Sequence, residues 1–158
     1  MVLNPYAAFL GEQDARAVLA ATPGLIHQSV CALTPEQIEA PLSAGKWSPR
    51  EIVSHLADCE LAFSFRLRQT LAEPHPVIQP FDQDDWAKRY SVYTLPEALE
   101  LFRAARQWNL KLIGGASAAD FERMVTHPER GAMTFGTIVE TMAGHDLNHL
   151  GQLQSLPR

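Results

Sequence analysis

Cysteine is scarce in this chain: 158 residues hold only two, Cys31 and Cys59. So wide a separation makes no Cys-x-x-Cys zinc or redox site. Both lie in segments with helical apolar spacing, and they are read as reduced, buried and structural. No apolar run approaches the roughly 20 residues that carry a helix across a bilayer, so no membrane partner is expected. Met1-Val2-Leu3-Asn4-Pro5 lacks the basic and apolar stretches of a secretory signal, and the protein is expected in the cytoplasm. Lys and Arg form no cluster, and 13 of them against 18 Asp and Glu give a net charge of −5. That balance argues against a nucleic-acid partner, which calls for a basic surface. Sustained alternation of apolar and polar residues is missing, and with it the pattern of half-buried strands. Repeats, low-complexity runs and a plausible linker are missing too, so residues 1–158 are read as one domain.

What the sequence has in quantity is helical spacing punctuated by caps. Asn4-Pro5 reads as the start of a short leading helix. A first long helix begins near Asp14, and Thr22-Pro23 either kinks it or restarts it. Thr34-Pro35-Glu36-Gln37 opens a brief turn of helix. Ser48-Pro49-Arg50-Glu51 combines N-cap, proline at the first helical position and capping box, so a second long helix is predicted to about Ala72. Trp47 before that cap is read as a staple onto Ile52 rather than a ligand contact. Prolines 74, 76 and 80 keep the next stretch extended. Asp82 to Tyr90 is predicted as a short helix, and Thr94-Leu95-Pro96-Glu97 opens a third long one to about Ile113, ended by Gly114-Gly115. Its core stripe is read as Ala98, Leu101, Phe102, Ala105, Trp108 and Leu112. Ser117 to Asp120 begins another brief helix, His127-Pro128 to Gly131 is read as a loop, and Thr134 caps the last long helix. The expected fold is all-α, a four-helix bundle with long connections and short extra helices.

The last helix carries Gly144-His145-Asp146-Leu147-Asn148-His149. Residues four apart share a helix face, so His145 and His149 can offer two imidazoles to one metal ion. Phe135, Ile138, Val139, Met142 and Leu153 define an apolar face at 100° per residue, and His145, Asp146 and His149 fall on it. An unpaired polar group there would cost about 1–3 kcal/mol. His55, on the flank of the Ile52, Leu56, Cys59, Phe63 and Leu67 stripe, is the candidate for a third ligand. Asp58 and Asp146 are candidates for orienting an imidazole or moving a proton; Asp146 could instead neutralise a neighbouring cation, and for Asp58 a surface ion pair is the preferred reading. The pattern leaves a second reading open, in which the histidines are core residues hydrogen-bonded to Asp58 and Asp146. A zincin-like peptidase is a weaker one, since Asp146 stands where His-Glu-x-x-His has glutamate and no strands accompany it. Arg66, on a similar heading to His55, could meet an anionic group, although an intramolecular salt bridge is the preferred reading. His127 is read as a loop hydrogen-bonder, and His27 and His75 as surface residues.

Gly45-Lys46-Trp47-Ser48-Pro49-Arg50-Glu51-Ile52-Val53-Ser54-His55-Leu56-Ala57-Asp58 resembles the second-helix signature of the DinB-like superfamily. Thr134-Phe135-Gly136 together with residues 144–149 resembles its last-helix signature. The resemblance implies a four-helix bundle, often homodimeric, with a divalent transition metal held by His55, His145 and His149. Zinc, nickel, iron or cobalt would suit three imidazoles. Related members include transferases and isomerases that use a low-molecular-weight thiol such as bacillithiol, mycothiol or glutathione. The expectation is a metal-dependent hydrolase or thiol S-transferase acting on a small-molecule substrate. The alternative is a non-catalytic metal-binding or dimerisation module.

Overall fold

A computed structural model describes residues 3–156. Its elements are α1 (Ala7–Leu10), α2 (Ala15–Cys31), α3 (Pro35–Glu39), α4 (Pro49–Ala72), α5 (Gln83–Ala87), a 3-10 turn (Tyr90–Val92), α6 (Leu95–Gly115), α7 (Ala118–Phe121), β1 (Met124–His127), β2 (Gly131–Thr134) and α8 (Phe135–Gln154). The four long helices α2, α4, α6 and α8 form a bundle. In it α2 packs on α6 and α8, and α4 packs on the same two.

Local chemistry sets the helix starts. Ser48 Oγ accepts from the Glu51 N–H while the Glu51 carboxylate accepts from the Ser48 N–H, and Pro49 fills the first helical position. Thr94 with Glu97 does the same for α6, and Thr34 with Gln37 for α3. Thr134 caps α8, with Thr137 completing the box. α1 starts two residues later than Asn4-Pro5 suggests, because Asn4 Oδ1 accepts from the Tyr6 N–H and holds that stretch outside the helix. Gly114 and Gly115 belong to α6, whose cap is Ala116.

Pro23 does not restart α2; the helix runs through it. A proline has no N–H, so the Leu19 carbonyl four residues earlier loses its helical donor. Arg106 of α6 supplies one, its Nη1 lying 3.1 Å from Leu19 O. The same guanidinium bonds Thr22 of α2 (3.1 Å), Glu60 of α4 (2.7 Å) and Asp146 of α8 (2.6 and 3.1 Å). One buried side chain thus ties together all four helices.

This placement corrects the stripe expected for α6. Its inward face is Ala98, Phe102, Arg106, Asn109 and Ile113, whereas Leu101 and Trp108 are exposed. The apolar residues mark a face rotated from the true one because two inward positions are polar. Cys31 is exposed, against expectation, at the end of α2 with its thiol beside His27.

The segment read from sequence as a loop, His127 to Gly131, is the turn of an antiparallel hairpin with Met124 opposite Thr134 and His127 opposite Gly131. Val125 and His127 face inward, so a polar residue stands at an inward position and masks the alternation. Gly131 turns the chain at φ +87°, where a side chain would be strained. The proline-rich segment is pinned to this hairpin, since the Ile78 N–H donates to Thr126 O and the Thr126 N–H donates to Pro76 O. No helix among the described residues is long and apolar enough to cross a membrane.

Candidate metal centre

α4 and α8 bring His55, His145 and His149 together, all buried. His145 Nε2 lies 2.9 Å from His55 Nε2 and 3.2 Å from His149 Nε2. Burial holds all three imidazoles below their ordinary pKa, and their mutual repulsion adds to this for His55 and His145. His55 is pushed down to about 3. At neutral pH each ring is therefore uncharged and keeps one nitrogen lone pair.

The protons can be placed. Gln152 Oε1 lies 3.0 Å from His149 Nδ1 and can only accept, so Nδ1 carries the hydrogen and Nε2 the lone pair. One hydrogen on His145 Nε2 cannot align with both neighbours. Hydrogen bonding among the rings therefore satisfies one of the two close contacts and leaves the other without an aligned hydrogen. A shared cation relieves it. Two nitrogens each about 2.1 Å from one ion sit roughly 2.9–3.4 Å apart at octahedral or tetrahedral angles, which is the separation found here. The residues fit a divalent transition metal.

Neither aspartate serves the rings. Asp146 is engaged by Arg106 and by Thr22, whose Oγ1 donates to Oδ2 at 2.5 Å. Burial alone would lower the Arg106 guanidinium, but Asp146 and Glu60 outweigh it and hold the group raised. Asp146 thus neutralises a cation, and the reading in which it satisfies a histidine is corrected. Asp58 is half-buried, raised by burial and drawn back down by the Tyr90 phenol, and makes no salt bridge among the described residues. Arg66 forms no salt bridge either. It donates to Gln79 O and lies over the Phe63 and Phe81 rings. His127 accepts from the Glu129 N–H at Nδ1 and ends β1, while His27 and His75 are exposed.

Several residues of the site escaped the sequence reading. Trp47 packs with the core around Ile52, as a staple would, yet its ring also lies 4.6 Å from that of His55 and stacks at 6.3 Å on His149. The Tyr6 ring meets His145 edge-on at 5.0 Å. Tyr6, Trp47, His149 and Gln152 line a cleft of about 630 Å³, with Lys46 and Asp84 contributing opposite charges. Cys59, read from sequence as packing alone, has its thiol 3.5 Å from His55 Nε2 and 4.0 Å from His145 Nε2. Burial raises that thiol well above its ordinary range.

Residues 19–153 match the family model of the DinB superfamily. The chain belongs to the DinB superfamily. Among its relatives in sequence, a protein of Oceanobacillus iheyensis named as a proposed metal-dependent hydrolase is 34% identical over 136 residues, 85% of this chain and 78% of that one. Another of Geobacillus kaustophilus, named in the same way, is 30% identical over 149 residues, covering 91% and 83%. In structure, this DinB-superfamily chain superposes on YfiT of Bacillus subtilis with a TM-score of 0.83, at 24% identity over 89% of this chain and 82% of that one. YfiT is described as a proposed metal-dependent hydrolase with an unusual four-helix bundle topology. At that identity the likeness establishes the fold, a four-helix bundle.

Proposed function

We propose that this protein is a metal-dependent hydrolase of a small polar molecule, with His55, His145 and His149 holding one divalent transition ion. The observation that carries the reading is the meeting of three uncharged imidazoles at 2.9 and 3.2 Å, with no carboxylate hydrogen-bonded to them among the described residues. The names given to the relatives point the same way. A divalent ion in such a site supplies Lewis acidity, lowering the pKa of water or a thiol and polarising a carbonyl.

The remaining parts belong to the chain. Gln152 fixes the tautomer of His149 and directs its Nε2 to the centre. Trp47 walls the cleft with an apolar face, which keeps water from the His55 side. Lys46 and Asp84 offer opposite charges to a substrate that carries both. Asp146, buried and bonded to Arg106, positions His145 through the adjacent backbone rather than moving a proton. Asp58 is absent from the cleft lining, and we assign it no part in the chemistry.

The polar lining and size of the cleft also suit a low-molecular-weight thiol, so thiol transfer is the second reading. We place the protein in the cytoplasm as a homodimer, an assembly that would cover Phe65 and Trp108, exposed on α4 and α6. Light scattering tests the assembly.

The test of function uses tag-free protein loaded in turn with zinc, nickel, iron and cobalt. It is assayed on esters and amides, and on electrophiles with each thiol. The reading predicts turnover that chelation abolishes and His149→Ala lowers at least about 100-fold. Turnover indifferent to chelation contradicts it. Silence across the panel with the ion bound favours the non-catalytic module.

A further inference from the structure

We propose that Cys59 is itself a ligand of this centre, its thiolate binding the same ion as His55 and His145. The inference rests on the metal reading above and extends it to a donor of a different chemical kind. Cys59 follows His55 by four residues on α4, so the two side chains share a face one turn apart. The ligand atoms of His55, Cys59 and His145 all lie within 4.8 Å of one another. A nitrogen at about 2.1 Å and a sulfur at about 2.3 Å from one tetrahedral ion sit roughly 3.5 Å apart. The thiol is 3.5 Å from His55 Nε2 and 4.0 Å from His145 Nε2, so it needs little movement to reach that geometry.

Its surroundings leave the sulfur free for this. Cys59 forms no disulfide. Its polar neighbours among the described residues are the imidazoles of His55 and His145. It sits on the core side, in the apolar cluster with Phe63 and Met142. His149 lines the cleft on the other side, and Cys59 does not. A thiolate here closes the inner wall of the centre and leaves the cleft side open to substrate. As the sulfur–metal bond forms, the thiol proton leaves to solvent. A mixed imidazole–thiolate set is softer than imidazole alone. It favours zinc, cobalt or iron and disfavours magnesium, calcium and manganese.

Cobalt(II) reads sulfur ligation directly. Tag-free wild type, Cys31→Ser and Cys59→Ser are loaded with cobalt, and the absorption spectrum and bound cobalt are measured. The proposal expects a near-ultraviolet thiolate-to-cobalt charge-transfer band in wild type and in Cys31→Ser. That band is absent from Cys59→Ser, which binds cobalt about 10-fold or more weakly. Cobalt bound to wild type without the band overturns the Cys59 assignment and leaves the histidine centre standing. A band that persists in Cys59→Ser overturns it as well. No cobalt bound to wild type overturns both readings together. Should Cys59→Ser fail to fold, the wild-type and Cys31→Ser spectra decide, because Cys31 is exposed and remote in its contacts.

Discussion

Arg106 is 1% exposed, and both of its acidic partners are buried with it. Its removal leaves Glu60 and Asp146 as buried charges without a cation, the situation that costs about 3–5 kcal/mol. Arg106→Met is therefore expected to lower unfolding free energy by about that amount, read from urea denaturation of the metal-free protein. A loss below about 1 kcal/mol would show that water, not Arg106, compensates the two acids. This residue was hidden in the sequence because apolar periodicity cannot see a buried cation. The spacing Phe102, Arg106, Asn109, Ile113 was the available signal. His145 and His149 were legible for the converse reason: polar groups standing on an otherwise apolar face need a partner. Trp47 was half-legible, since a staple position explains its packing but not its approach to His55.

Among the elements, the helix starts were the most readable, because capping residues act within four positions of one another and need no tertiary context. The hairpin was not readable, with two four-residue strands and a buried His127 breaking the alternation. Nor was the docking of α1. Its lead-in lies so close to α8 that a Cβ on Gly144 would stand 2.4 Å from Tyr6 O and 2.8 Å from Tyr6 Cβ. Gly144 therefore serves close approach, and Tyr6 is thereby set against His145. Gly144→Ala is expected to push α1 off α8 and destabilise the protein by about 1–3 kcal/mol. Tyr6 is a natural probe, since its ring resonances in an NMR spectrum should report a changed environment while α8 keeps its far-ultraviolet circular dichroism. An alanine variant as stable as wild type, with Tyr6 unmoved, would contradict the packing described here.

For the molecule as a whole, the three histidines link stability to pH. Their folded-state pKa values are depressed, chiefly by burial, whereas the unfolded chain titrates near 6.5. Below about pH 6.5 the unfolded state binds more protons than the folded one, so stability falls as pH falls. For His55 the window extends to about 3. Metal-free protein should thus lose up to about 1.4 kcal/mol per pH unit per histidine between about pH 6.5 and 5, above the carboxylate range. Urea midpoints across that interval measure it. A flat profile would mean that the rings are solvated and the cluster is not closed.

At the centre of the molecule, the imidazoles of α4 and α8 are proposed to hold one ion in common. Elemental analysis of tag-free protein, reconstituted with zinc or cobalt and freed of excess, tests it most directly. Wild type is predicted to retain about one equivalent per chain, and folded His55→Ala, His145→Ala and His149→Ala each less than about a tenth. Wild type holding less than about a tenth of an equivalent, or single variants holding as much as wild type, would contradict it.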